Sequence, residues 1–224
     1  KGTNLHQDHA GVGTGIPDRL WEYRIKKMKT IGSNAIRTSH NPMSPVFLDL
    51  CDRLGMLVIE ENRLMGINRE HIGLLEHMIK RDRNHPCIIL WSIGNEEWAL
   101  EGNERGLRIT KSMSEYVHQL DSTRLSTQGT AGGRVSLFGV DVKGYNYLRQ
   151  NPIDEFHQKH PEWYSPVGSE ETSGCGTRNV YYTDSLRGWM APINRTAQDD
   201  NHIINPMARG WPFLAGRTFL LDRT

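Results

Sequence analysis

Two apolar runs in this chain end on carboxylates. Residues 87–98 read CIILWSIGNEEW, a stretch fit for a buried strand that runs straight into Asn95 and Glu96. Residues 166–171 read PVGSEE, a shorter run that reaches Glu170 and Glu171. A strand buried along its length can still deliver its last residue to the mouth of a pocket. Two carboxylates facing one sugar-sized cavity can hydrolyse a glycosidic bond: one is protonated and assists the leaving oxygen, the other is ionised and attacks. Different surroundings push their pKa values apart. Taken singly, an acidic residue at a strand end also reads as a helix N-cap or a surface charge.

The other apolar runs end in the same way. Asn4, His6, Asp8 and His9 follow the first, and Thr38, Ser39, His40 and Asn41 follow SNAIR (33–37). Glu60, Glu61, Asn62 and Arg63 follow MLVI (56–59), and Tyr145, Asn146 and Tyr147 follow the run around 140–142. In a parallel barrel all strands end on one face, so these groups would converge on one pocket.

Stepwise alternation of short apolar runs with amphipathic stretches supplies the elements that must hold them. Residues 18–31 carry apolar side chains at 20, 21, 25, 28 and 31, one face of a helix. Further helices are expected over 44–54 (stopped by Gly55), 72–82, 103–120, 153–159 and 207–214. Strands are expected at 2–5, 33–37, 56–59, 87–93, 125–128, within 140–147 and at 166–169. That order predicts an α/β fold with a parallel sheet, either a (β/α)8 barrel or a doubly wound sheet. The GVGTG stretch (11–15) lacks the third glycine and opening helix of a phosphate cradle, so a flexible loop is the better reading. Residues 182–204 are the least patterned and are expected to be a long surface loop.

The totals exclude several classes. A net charge of +1 over 224 residues offers no field for nucleic acid or an anionic membrane. No apolar run approaches the roughly 18 residues of a membrane span. Three scattered cysteines (Cys51, Cys87, Cys175) make neither a disulfide framework nor a zinc knuckle, and the first two read as buried thiols. His6, Asp8 and His9 could suggest a metal, but their place after the first strand fits pocket lining at least as well. No cofactor and no metal are expected.

The stretches NAIRTSHNP (34–42), DLCDRLGMLVIEEN (49–62) and RDRNHPCIILWSIGNEEW (81–98) resemble the catalytic domain of glycoside hydrolase family 2. ENRLMG (61–66), GYNY (144–147), GSEETSGCGTR (168–178) and the opening KGTNLHQDHAG are similar to its β-galactosidase branch. The resemblance implies a (β/α)8 TIM barrel acting on a β-linked galactoside or oligosaccharide by retaining double displacement. It implies Glu96 as acid/base and Glu170 as nucleophile, with Glu171 as its rival. Asn95 would hold the sugar 2-hydroxyl, His40 would touch the sugar, and Tyr147, with Tyr145 as competitor, would hydrogen-bond the nucleophile. Arg37 would favour the ionised nucleophile, or else form a structural ion pair with Glu60 or Glu61. Trp98 would stack on sugar or pack at the rim.

The chain departs from that pattern at three places. Asn41 stands where a tyrosine is usual, and no histidine follows ENRLMG, so the magnesium site of some relatives is not implied. RGWPFLAGRTFLLDRT (209–224) resembles the seventh helix and is followed by no eighth strand. A truncated barrel, with a partial first strand and flanking β-sandwich domains in a longer enzyme, is therefore expected. The alternatives are a β-glucuronidase or other exo-glycosidase of the same family, or a catalytically impaired sugar-binding barrel.

Overall fold

The computed structural model describes residues 1–131, 133–147, 153–162 and 166–170. Seven strands hydrogen-bond in sequence order, every neighbouring pair parallel. They are β1 Gly2–Leu5, β2 Ala35–Thr38, β3 Leu57–Glu61, β4 Ile88–Asn95, β5 Leu125–Thr130, β6 Val142–Asn146 and β7 Pro166–Glu170. The helices between them are α1 Asp18–Thr30, α2 Pro45–Leu54, α3 Arg69–Asp82, α4 Trp98–Glu101, α5 Glu104–Leu120 and α6 Ile153–Lys159.

Strictly sequential strand order is the winding of a barrel and removes the doubly wound alternative, whose order reverses at a switch point. The sheet also curls on itself. Neighbouring strands lie about 4.8 Å apart, so β2 and β7 would stand roughly 24 Å apart in a flat sheet. Instead Arg37 Nη1 on β2 donates to Ser169 O at 3.3 Å and lies 3.2 Å from Glu170 Oε2 on β7. The expected barrel is therefore present, with seven strands among the described residues; residues 207–224, where the seventh helix and missing eighth strand were at issue, lie outside them, as do 182–204 and Cys175.

Local chemistry sets the helix ends. Pro45 opens α2 with its preset φ, and Gly55 closes it in the left-handed region at φ 67°, its N–H donating to Cys51 O. The Asn68 side chain caps α3 by accepting from His71 N at 2.9 Å, so the helix starts earlier than its apolar periodicity suggests. Asn103 caps α5 through Gly106 N in the same way. α4 and a 3₁₀ turn at Ser136–Gly139 were not anticipated; four residues are too few to display a helical period.

The core lies between strands and helices. Trp21, Ile25, Phe47, Leu48, Leu75, Ile79, Met113 and Val117 cover Ile36, Val58, Trp91 and Ile93. Trp21 and Phe47 tie α1 to α2 with ring centroids 5.0 Å apart. Cys51 and Cys87 are buried free thiols in this layer, and desolvation pushes both well above the usual thiol range. No helix among the described residues is long and apolar enough to cross a membrane.

Candidate active site

Side chains alternate across a strand, so each strand sends one parity to the helices and the other to the barrel interior. At the C-terminal ends the inward parity is polar. Arg37 comes from β2, Glu61 from β3, Ser92 and Asn95 from β4, Asn146 from β6 and Ser169 from β7, and all are buried. His40, Glu96, Tyr147 and Glu170 stand at the rim of the same strand ends.

Arg37 is the hub. Its Nε donates to Glu61 Oε2 at 2.7 Å, its Nη2 to Asn95 Oδ1 at 2.6 Å, and its Nη1 to Glu170 Oε2 at 3.2 Å. Arg37 thus reaches Glu170 and is ion-paired with Glu61, while Glu60 faces the other way. Glu61 also accepts from Ser92 Oγ at 2.8 Å and lies 2.7 Å from His40 Nδ1. Tyr147 Oη donates to the other oxygen of Glu170. Its competitor Tyr145 is fully buried, edge-on to Phe156 of α6 with centroids 5.5 Å apart, on the helix side of β6.

Glu96 is tied in through Asn146, whose Nδ2 donates to Glu96 Oε1 at 2.7 Å and to Asn95 Oδ1 at 3.0 Å. Ser169 Oγ donates to Asn146 Oδ1 at 2.7 Å. One continuous network therefore runs from Glu96 through Asn146, Asn95 and Arg37 to Glu170.

Two site residues hold left-handed backbones: Glu96 at φ 51° and Tyr147 at φ 56°. Each costs about 1–2 kcal/mol for a residue with a Cβ. The surrounding ladder offsets this, with Glu96 N donating to Gly129 O at 3.0 Å and Tyr147 N to Glu170 O. Such strain is characteristic of functional positions.

The expected residues Glu96, Glu170, Asn95, His40, Tyr147 and Arg37 are brought together. Trp98 opens α4 with its N–H on Glu96 O at 3.0 Å and is 62% exposed, so it is not packed into the rim. Glu171 lies outside the described residues. His6 joins the cluster with its ring edge-on to His40, centroids 5.4 Å apart. Desolvation of its packed side and then the neighbouring His40 hold its imidazole below the ordinary value. Among the described residues no group of three or more His, Cys, Asp or Glu side chains is placed to hold a metal ion.

Glu61 and Asn146 stood among the strand-end polar residues expected to converge on the pocket but carried no assigned site role, and Ser169 and Gly129 were not singled out at all. Gly129 is the least visible. A Cβ there would lie 2.7 Å from Arg37 Nη2, 2.8 Å from Asn95 Oδ1 and 3.0 Å from Asn146 Oδ1. Only glycine lets the hub close against β5.

Comparisons with known proteins agree with this architecture. The family model described as "Glycosyl hydrolases family 2, TIM barrel domain" matches residues 1–74 and 67–172. A β-galactosidase of Bacteroides ovatus is 32% identical over 85% of this chain and 28% of its own length. A β-glucuronidase of Sus scrofa is 35% identical over 76% of this chain and 26% of its own. The crystal structure of a glycosyl hydrolase family 2 member from Bacteroides cellulosilyticus superposes with a TM-score of 0.69 at 37% identity, covering 77% of this chain and 24% of that one. The chain thus spans about a quarter of the length of these relatives. With the strand order, the curled sheet and the family match in agreement, this chain belongs to glycosyl hydrolases family 2, as its TIM barrel domain.

Proposed function

We propose that the chain supplies the catalytic barrel of a retaining exo-glycoside hydrolase that removes terminal β-galactosyl residues. Glu170 is the nucleophile and Glu96 the general acid/base. A Glu170 oxygen forms a bond to the anomeric carbon as the bond from that carbon to the leaving oxygen breaks, and the leaving oxygen takes the proton of Glu96. Water then gives a proton to Glu96 and attacks the glycosyl ester, freeing Glu170.

The observation that carries this reading is the continuous network between the two carboxylates. Arg37 and Tyr147 occupy different oxygens of Glu170 and fix its orientation. Asn146 fixes Glu96. Asn95 sits between them, where its amide can meet a sugar hydroxyl. His40 and His6 line the sugar side, and exposed Trp98 offers a face for the leaving portion.

The names of the relatives favour one second reading, a β-glucuronidase, because both activities occur among them. The length of those relatives supports flanking domains, of the β-sandwich kind the resemblance implies, in the working enzyme. The test is a panel of aryl β-galactosides and β-glucuronides offered to the full-length protein and to Glu170→Gln. Galactoside turnover that Glu170→Gln abolishes supports the proposal. Preferred glucuronide turnover replaces the sugar, and turnover surviving in Glu170→Gln removes the assigned nucleophile.

A further inference from the structure

Arg37 serves two carboxylates unequally. Glu61 Oε2 takes Nε at 2.7 Å and lies 2.6 Å from Nη2, whereas Glu170 Oε2 has a single contact from Nη1 at 3.2 Å. The Glu61 side chain is 0% exposed and that of Glu170 19%, so the tighter pair is also the drier one. A carboxylate fully matched by a guanidinium is stabilised in its charged form and is a weaker nucleophile for it. Glu61 therefore limits how much of the Arg37 charge reaches Glu170.

The second oxygen of Glu61 sets the neighbouring histidine. His40 Nδ1 lies 2.7 Å from Glu61 Oε1, and a carboxylate can only accept. The proton of neutral His40 consequently sits on Nδ1. That leaves Nε2, 3.8 Å from Glu170 Oε2, as an acceptor for a sugar hydroxyl. Ser92 Oγ and the Glu61 backbone, held by Thr38 Oγ1 at 2.8 Å, keep the carboxylate in this pose.

We propose that Glu61 is a positioning residue for the glycosylation step: it withholds part of the Arg37 charge from Glu170 and fixes the tautomer through which His40 meets the sugar. The role rests on the reading of Glu170 as nucleophile.

The test uses Glu61→Gln in the full-length protein, which keeps the shape and removes the charge. All of the Arg37 charge then faces Glu170, alongside His40, His6 and the Tyr147 hydroxyl. Formation of the glycosyl ester slows, but its breakdown, in which Glu170 departs, does not. For a β-galactoside with a poor leaving group, kcat/KM falls about 100-fold. For a dinitrophenyl galactoside, whose good leaving group speeds ester formation relative to breakdown, kcat falls less than about tenfold. The acid limb of the kcat/KM profile moves to lower pH, because a negative charge beside the nucleophile is removed. Equal losses on both substrates with an unmoved acid limb would overturn the proposal, since packing damage alone predicts that result.

A second measurement needs no variant. Nitrogen NMR of His40 in the wild-type protein should report the Nδ1-protonated tautomer, and an Nε2-protonated ring overturns the assignment even if Glu61→Gln does not fold. Wild-type protein that turns over no glycoside would remove the nucleophile reading and this role together. Normal turnover with an indifferent Glu61→Gln removes only this role.

Discussion

The two faces of β3 carry one buried glutamate each, and the two behave oppositely. Glu60 and Glu61 are consecutive and both 0% exposed. Glu60 points at the helices, where Met43 N donates to its Oε1 at 3.1 Å and Arg81 stands at the 4.0 Å limit of an ion pair. Among the described residues its other oxygen makes no well-formed hydrogen bond, and burial, reinforced by Asp82, pushes its carboxyl up to about 8. Glu61 points inward and is surrounded by Arg37, Ser92 and His40. Residue type and burial are the same. The difference is the pleat, which sends one side chain to an apolar layer and the other to a ring of donors. A buried carboxylate is tolerated either by holding its proton or by being fully partnered, and β3 does both within two residues.

The largest test of this contrast is Glu61→Ala. It leaves Arg37 short of its closest partner and strands Ser92 and His40, so it should cost about 3–5 kcal/mol in urea unfolding of the full-length protein. A cost below about 1 kcal/mol would mean that the inner ring is not a cooperative unit.

The helix-facing glutamate should reveal itself through pH. Its folded value of about 8 lies above the ordinary 4.5, so between those values the folded state keeps a proton that the unfolded chain has released. Its contribution is complete below about 4.5 and is lost as pH rises towards 8, amounting to a few kcal/mol. Thermal unfolding midpoints of wild type and Glu60→Gln at pH 5, 7 and 9 should converge at pH 5 and separate at pH 9, the variant being the more stable there. Parallel curves would place the proton elsewhere.

Gly129→Ala sharpens the inner half of the comparison. The added methyl meets Arg37, Asn95 and Asn146 within 3.0 Å, so the hub must shift. A displacement of this kind should reduce kcat/KM about 100-fold while the protein still folds. Ser92→Ala is the mildest: it removes one donor to Glu61 and should cost about 1.5–3 kcal/mol of stability, with the acid limb of the pH profile unmoved.

Much of the fold could be read before any coordinates. Seven strands, their alternation with helices and the polar strand ends followed from apolar runs and caps. Boundaries moved where side-chain capping or strand pairing extended an element: Asn68 lengthened α3, and the Asn95–Gly129 pairing carried β4 to Asn95. The site was legible where a strand end ran into charge, as at Asn95-Glu96 and Ser169-Glu170. It was illegible where a residue's role depends on which way the pleat faces. In GYNY the tyrosines drew attention, yet Asn146 between them joins Glu96 to Asn95.

By itself, then, the order of residues determined the seven strands, the longer helices between them and that polar groups gather at one end of the strands. Those are consequences of local propensity and periodicity, which act over a few residues. Tertiary structure decided which of two adjacent glutamates meets Arg37, which of two tyrosines meets Glu170, and why a side chain at position 129 displaces the hub. Those outcomes depend on strand parity and barrel curvature, which bring β2, β4, β6 and β7 within hydrogen-bond reach although they are far apart along the chain.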